Sequence, residues 1–146
     1  MKILLLSDSH QSSIAFDFSK YDFIIHCGDY GTSLDTLKEN QILYVRGNCD
    51  TIGPEALELK FASKKIFVTH GHLENVKFTL NRLLYKALEK NCQVCMFGHT
   101  HQQVCFIEED ILFLNPGSYP ESYIEIDDET ITLHQRNSIK NISYRW

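Results

Sequence analysis

Three absences narrow the classes of protein that this sequence can encode. No apolar run approaches membrane-spanning length, and the run at residues 3–6 is too short for a signal sequence. Basic residues are outnumbered, 14 against 19 acidic ones, so the net charge is −5 and no basic stripe for nucleic acid is visible. The five cysteines show no disulfide-framework pattern. We therefore expect a cytoplasmic protein with reduced thiols, no membrane partner and no clear nucleic-acid partner.

The length and composition fit one domain. The chain has 146 residues, 43% of them hydrophobic, which is enough for a single core. Two domains would each be too small to stabilise themselves. The three prolines are scattered, and no repeat, linker or low-complexity tract is evident. We predict a single domain over residues 1–146.

Strand and helix patterns alternate along the first half and become richer in strand along the second. The first half predicts strands at 2–7, 22–27 and 41–46, with helices at 12–18 and 32–39. The second half predicts strands at 56–61, 64–69, 93–97, 103–107, 111–114, 122–127 and 130–135, with one long helix near 76–90. The helix would place Val76, Leu80, Leu83, Leu84 and Leu88 on one face.

These elements predict an α/β fold with a largely parallel first sheet. Strand–helix–strand order favours right-handed crossovers between parallel strands. The acidic turn at 127–129, just before the last predicted strand, predicts an antiparallel hairpin. We expect two mixed sheets packed together with helices outside.

Five loops, each directly after a predicted strand, carry residue types that bind metals. Because ligands bind beyond the carboxyl ends of strands in such sheets, we expect these side chains to converge. Glycines beside them allow sharp turns and close approach of the backbone. The candidate ligands are Asp8, His10, Asp29, Asn48, His70, His99 and His101.

Two carboxylates, one amide oxygen and four imidazoles are more than one ion needs, and they suit two ions that share a bridging carboxylate. Mixed oxygen and nitrogen donors without thiolate favour Mn²⁺, Fe²⁺, Ni²⁺ or Zn²⁺ over Ca²⁺. Each motif alone has an ordinary interpretation, such as a helix-capping aspartate or a turn. Their joint occurrence, in order and at strand ends, indicates a metal centre.

The motifs D-x-H, G-D, G-N-C-D, H-G-H and G-H-T-H, followed by N-P-G-S at 115–118, resemble those of the calcineurin-like metallophosphoesterases. The set is most similar to that of the small YfcE-like phosphodiesterases, and the likeness runs from residue 1 to about residue 126. The resemblance implies a four-layer α/β/β/α sandwich.

The resemblance also implies two metal sites with Asp29 as the shared ligand. One ion would be held by Asp8, His10, Asp29 and His101. The other would be held by Asp29, Asn48, His70 and His99. The implied activity is hydrolysis of a small phosphoester by in-line attack of a metal-bridging hydroxide, with Mn²⁺ as the first expectation and Ni²⁺, Fe²⁺ or Zn²⁺ as alternatives.

Three residues are predicted catalytic positions: Asn48, Cys49 and His72. Many members of the resembling family have histidine after the G-N asparagine, where it can protonate the leaving group. Here that residue is Cys49, and a thiol is a poor general acid, although no nucleophilic role is assigned to it. The proton would come from His72, from a metal-bound water, or from no group, which predicts a preference for acidic leaving groups. His72 could equally be a hydrogen-bonded support for a ligand.

Several alternatives stay open at this point. A non-catalytic scaffold with the same fold is the runner-up, and a nuclease would need a basic groove. Cys92 and Cys95 could be a zinc or redox pair, although packing of Cys95 in a buried strand is favoured. His26 and His134 are expected to be structural or solvated, and an apolar patch could support a homodimer. No arginine lies close after N-P-G-S to hold the substrate phosphate.

Overall fold

A computed structural model describes residues 1–146, which form two mixed β-sheets with few helices. The strands are β1 (Ile3–Leu6), β2 (Phe23–His26), β3 (Leu43–Tyr44), β4 (Ala56–Phe61), β5 (Lys64–Thr69), β6 (Val94–Met96), β7 (Val104–Glu108), β8 (Ile111–Asn115), β9 (Ser122–Ile126), β10 (Thr130–Gln135) and β11 (Ser138–Ser143). The α-helices are α1 (Leu34–Glu39) and α2 (Asn81–Glu89), and 3₁₀ turns span Phe18–Lys20 and Gly31–Ser33.

The strand order of the first sheet is β11-β10-β9-β1-β2-β3, and that of the second is β4-β5-β6-β8-β7. In the first sheet β1, β2 and β3 are parallel, as predicted, while β9 and β10 form the predicted antiparallel hairpin. In the second sheet β5, β6 and β8 are parallel. The carboxyl ends of these two parallel groups carry the loops that matter for function.

Three apolar clusters confirm the four-layer sandwich. The largest lies between the sheets and joins Ile3 and Leu5 of β1 to Val68 of β5. A second packs the outer face of the second sheet, including Phe113, against α2. A third packs the outer face of the first sheet against α1, through Leu37. β1 is buried on both faces, which explains its uninterrupted apolar sequence.

The helix prediction at 12–18 is wrong. Its backbone forms no α-helix because Ile14 is buried in the outer cluster and the N–H of Ala15 faces the Tyr119 hydroxyl at 3.3 Å. Tertiary contacts therefore override the local pattern. The helix predicted at 76–90 begins only at Asn81, and Phe78 before it is 86% exposed.

β11 was not predicted. It is an edge strand with mostly exposed side chains, joined to β10 by a two-residue turn, so it lacks the apolar alternation of a half-buried strand. Cys95 is fully buried in β6, as its packing role predicted. His134 stacks on Tyr123 and lies 2.9 Å from a carboxylate oxygen of Glu125, which is a structural role. None of the helices has the length and apolarity needed to traverse a bilayer.

Candidate metal centre

The loops that follow β1, β2, β3, β5 and β6 meet at one edge of the sandwich. Their side chains form a continuous set of contacts that is buried at its floor and open at its rim. Asp8, Asp29 and His70 are buried, His10 and His99 are half-buried, and Asn48 and His101 are exposed. All seven predicted ligands are therefore brought together, although 93 positions separate Asp8 from His101 in a chain of 146 residues.

His70 gathers oxygen acceptors around one ring nitrogen. Its Nδ1–H donates to the carbonyl of Cys27 at 2.7 Å, which leaves the lone pair of a neutral ring on Nε2. That nitrogen lies 3.1 Å from Oδ1 of Asn48, 3.2 Å from Oδ2 of Asp29 and 3.9 Å from Oδ1 of Asp8. Four acceptor atoms therefore converge on one small volume.

Such a convergence is stable only when a positive charge lies among the acceptors. Oδ1 of Asp8 is buried and has no hydrogen-bond partner. Burial lowers the pKa of His70, but the hydrogen bond to Asp29 and the charge of Asp8 outweigh burial and raise it overall. Burial raises the pKa of Asp29, but hydrogen bonds from His70 and the Cys49 backbone outweigh that and hold it well below its usual range. The arrangement of these acceptors therefore fits a cation at this position.

A second set of donors lies beside the first. Oδ1 of Asp8 is 3.1 Å from Nε2 of His101 and 3.9 Å from Nε2 of His10, and the two imidazole nitrogens are 3.5 Å apart. Ligand atoms of Asp29, His10 and Cys49 also lie within 4.8 Å of one another. Asp8 and Asp29 each belong to two of these neighbouring groups of donor atoms. The role of Asp29 as the ligand that two ions share stays a prediction.

His99 has fewer close contacts with the site than the other predicted ligands have. Its ring centroid is 5.0 Å from that of His70, and its backbone N–H donates to Oδ2 of Asp8 at 3.1 Å. Its imidazole belongs to none of the close donor groups. Its role as a ligand stays a prediction.

The backbone at the site is strained. Non-glycine residues rarely adopt positive φ, and each instance costs about 1–2 kcal/mol. Five of the seven predicted ligands nevertheless do so: Asp8, His10, Asp29, His99 and His101, with φ between 46° and 71°. Their clustering at one edge is typical of a functional site, where the direction of a side chain matters more than the strain in its backbone.

Two glycines allow the loops to approach the carboxylates. A Cβ at position 47 would lie 2.1 Å from Oδ1 of Asp29, and one at position 98 would lie 2.0 Å from the Ser7 hydroxyl and 2.7 Å from Oδ2 of Asp8. No larger residue fits at either position without displacing a carboxylate.

Sequence reasoning missed the residues that hold the predicted ligands in place. Oδ2 of Asp50 accepts the backbone N–H groups of Asp29 at 2.7 Å and Gly47 at 2.8 Å, which ties the second loop to the third. The Ser7 hydroxyl donates to Oδ2 of Asp8 at 2.5 Å, and Ser118 donates to the Asp8 carbonyl at 2.8 Å. The aspartate in G-N-C-D was the one available signal for such a support.

His26 is a structural link beneath the site. The N–H of Gly28 donates to its Nδ1 at 3.1 Å, so Nε2 carries the proton and donates to the Ser9 hydroxyl at 2.9 Å. Ser9 in turn donates to the carbonyl of Tyr30. Complete burial and the nearby His70 lower the pKa of His26 to about 3. The ring is therefore neutral and joins the loops after β1 and β2.

The predicted catalytic residues Cys49 and His72 lie at the site. His72 is half-buried, with its ring centroid 5.4 Å from that of His70 and a buried Nδ1 that lacks a partner. Burial and the charge of His70 lower its pKa. Cys49 is exposed, and desolvation together with the charge of Asp29 raises the pKa of its thiol. Both groups are neutral at pH 7 in the metal-free protein.

An arginine that sequence reasoning missed lies beside the site. Arg136, in the turn between β10 and β11, reaches Glu121 with an Nη2–Oε1 distance of 2.6 Å. Both residues line a shallow groove of about 520 Å³ that begins at His101 and is lined only by polar residues, among them Gln103. The turn was invisible in the sequence because β11 was not predicted.

Comparisons with known proteins agree with this geometry. The calcineurin-like phosphoesterase superfamily domain matches residues 1–137. The probable metallophosphoesterase YsnB of Bacillus subtilis is 34% identical, over 99% of this chain and 98% of its own length. The phosphoesterase YfcE of Escherichia coli, a solved structure, is 25% identical with a TM-score of 0.72, covering 98% of this chain and 99% of its own. Vps29 of Chaetomium thermophilum shares the fold, with 20% identity and a TM-score of 0.82 over 99% and 98% of the two chains. The chain belongs to the calcineurin-like phosphoesterase superfamily.

Proposed function

We propose that this protein hydrolyses phosphodiesters with two divalent metal ions held by the seven predicted ligands, Mn²⁺ being the first candidate. The observation that carries the proposal is the convergence of acceptors on Nε2 of His70, next to the unpartnered Oδ1 of Asp8. Several hydrogen-bond acceptors that face one another with no donor between them are the arrangement expected of a cation site. Oxygen and imidazole ligands suit Mn²⁺ and its neighbours in the first transition row.

When bound, two such ions supply an activated water as nucleophile and neutralise charge on the phosphoryl oxygens. The residues of this chain hold that arrangement in place. The Cys27 carbonyl fixes the tautomer and direction of His70. Ser7 and the N–H of His99 hold Oδ2 of Asp8, which leaves Oδ1 facing the site. The buried floor excludes bulk water, and the exposed rim admits a substrate.

No side chain near the site is well suited to protonate the leaving group. The thiol of Cys49 and the ring of His72 both lie near the site, but neither is a strong proton donor at neutral pH. We therefore propose a preference for substrates whose leaving alcohol is already acidic, such as phenols. Similar rates on phenolic and simple alkyl diesters would contradict this proposal.

The polar groove beside His101 is proposed to hold the part of the substrate beyond the phosphorus. Its lining of glutamine, asparagine and the Arg136–Glu121 pair suits a polar or charged alcohol rather than an apolar one. All five cysteines are unpaired, and we propose the cytoplasm as the place of action because its thiol buffers keep cysteines reduced.

The test combines metal analysis with a hydrolysis screen. Purified protein is assayed on bis-p-nitrophenyl phosphate and p-nitrophenyl phosphate, before and after EDTA treatment and after Mn²⁺ is restored. We expect up to two ions per chain, faster hydrolysis of the diester, loss of activity with EDTA and recovery with Mn²⁺. Asp8→Asn should abolish activity, and the matched change Asp128→Asn, which affects a surface pair with the N-terminal amine, should not.

Two results would contradict the proposal. Hydrolysis that EDTA does not reduce would exclude the metal-dependent mechanism. A protein that binds two ions and hydrolyses none of the mono- or diesters would instead support the non-catalytic scaffold.

A further inference from the structure

The thiol of Cys49 projects into the donor set. Its Sγ, an imidazole nitrogen of His10 and a carboxylate oxygen of Asp29 all lie within 4.8 Å of one another. The Cys49 backbone N–H donates to Oδ1 of Asp29 at 2.9 Å, so the residue is fixed beside that carboxylate. The sequence-based set of candidate ligands contained no sulfur donor, and the structure places the Cys49 thiol among them.

No other cysteine has such surroundings. Three of the remaining four are buried in the core and one, Cys105, is half-buried in β7. None of them belongs to a group of potential ligands. The placement of Cys49 is therefore specific to the site, and Cys105 offers a matched control.

We propose that Cys49 is a ligand for thiophilic divalent ions, and that with His10 and Asp29 it forms a binding mode that Mn²⁺ does not use. Soft thiolate ligands select ions such as Zn²⁺, Co²⁺ and Cd²⁺, whereas Mn²⁺ prefers oxygen donors. The proposal rests on the proposed function in one respect, since it takes His10 and Asp29 as metal ligands.

The geometry fits one ion with a small adjustment. With metal–sulfur bonds of about 2.3 Å, metal–nitrogen bonds of about 2.1 Å and a tetrahedral angle, one ion joins sulfur and nitrogen atoms about 3.6 Å apart. Because the donor atoms lie up to 4.8 Å apart, the exposed Cys49 side chain needs to move by up to about 1 Å, past Nδ2 of Asn48, which lies 3.5 Å from its sulfur. On binding, the S–H bond breaks, the sulfur–metal bond forms and the proton passes to solvent.

The proposal predicts that thiophilic ions and Mn²⁺ are held by different sets of ligands at the same site. A thiophilic ion fixes the Cys49 side chain and narrows the open rim of the site next to Asn48, whereas Mn²⁺ leaves the thiol unbound. Zn²⁺ should therefore resist displacement by Mn²⁺, and removal of the thiol should weaken Zn²⁺ binding far more than Mn²⁺ binding.

The first test is Co²⁺ titration followed by absorption spectroscopy, with binding measured independently by equilibrium dialysis. The wild-type protein should develop a near-ultraviolet thiolate-to-cobalt charge-transfer band. Cys105→Ser should keep the band, and Cys49→Ser should lose it while still binding Co²⁺. A second measurement needs no variant: Zn²⁺ should slow alkylation of Cys49 by iodoacetamide at least tenfold, and Mn²⁺ less than twofold, as read by peptide mass spectrometry.

Three results would overturn the inference: bound Co²⁺ without the band in the wild type, a band that persists in Cys49→Ser, or equal protection of Cys49 by Zn²⁺ and Mn²⁺. These failures are distinguishable from failure of the proposed function. Mn²⁺-dependent, EDTA-sensitive hydrolysis by the wild type would survive any of them. Its absence would refute the enzyme proposal whatever the cobalt spectrum shows.

Discussion

Replacing Asp50 with alanine should damage both the stability and the metal affinity of this protein, although Asp50 is not a predicted ligand. One carboxylate oxygen, Oδ2, accepts the backbone N–H groups of Asp29 and Gly47 at 2.7 and 2.8 Å. These bonds hold Asp29 in its left-handed conformation, with φ of 57°, and join the second ligand loop to the third. Alanine leaves both donors without a partner.

The structure sets the size of the effect. A hydrogen bond to a charged group contributes about 1.5–3 kcal/mol, and these two share one oxygen of the half-buried Asp50, so we take roughly 2–3 kcal/mol for the pair. The unfolding entropy of about 2.1 cal/mol/K per residue amounts to ~0.3 kcal/mol/K for this chain. The expected fall in Tm is therefore roughly 6–10 °C. Loss of a residue that orients a ligand typically weakens metal binding by about 10–100-fold.

Two matched variants separate these effects. Asp50→Asn keeps an acceptor oxygen without the charge and should lose about half as much stability. Asp22→Ala removes a similar carboxylate, which accepts the N–H of Lys2 at 2.7 Å far from the site, and should lower Tm without changing metal affinity. The assays are calorimetric unfolding and Mn²⁺ titration. An Asp50→Ala protein with wild-type Tm and wild-type Mn²⁺ affinity would refute the reasoning.

Three further predictions test other parts of the site. Asp29→Asn should reduce phosphodiester hydrolysis to near background with an unchanged circular dichroism spectrum, and retention of half the rate would count heavily against a bridging carboxylate. Arg136→Ala should raise KM for a polar diester by about 3–10-fold with kcat within twofold; Arg145→Ala is the control, and an unchanged KM would remove Arg136 from substrate binding. His26 has a folded pKa of about 3 against about 6.5 unfolded, so its contribution to stability is present above the unfolded pKa and is lost as pH falls. EDTA-treated His26→Asn should therefore lose about 2 kcal/mol less than wild type in urea unfolding between pH 7 and pH 5, and parallel losses would contradict this.

Much of the fold was predictable because its strands carry strong local signals. β1 is a short apolar run bounded by polar residues, and the hairpin of β9 and β10 follows from its acidic turn. The failures occurred where local signal and tertiary context disagree. The apolar side chains of residues 12–18 pack in the outer cluster rather than along one face of a helix. The edge strand β11 is too exposed to show an apolar period.

The sequence by itself determined which residue types stand after which strands, and so it indicated the candidate ligands and the family that their motifs resemble. Only the tertiary structure decided which of these side chains lie within a few ångströms of one another, because side chains up to 93 positions apart meet through sheet pairing that no local pattern encodes. The structure also showed that Asp50 holds two of the site's loops together, that His26 is neutral and links two loops, and that Arg136 lines the groove beside His101. It further placed the Cys49 thiol among the donor atoms. These depend on backbone direction at left-handed residues and on loop-to-loop distances, which are properties of the packed chain rather than of any segment.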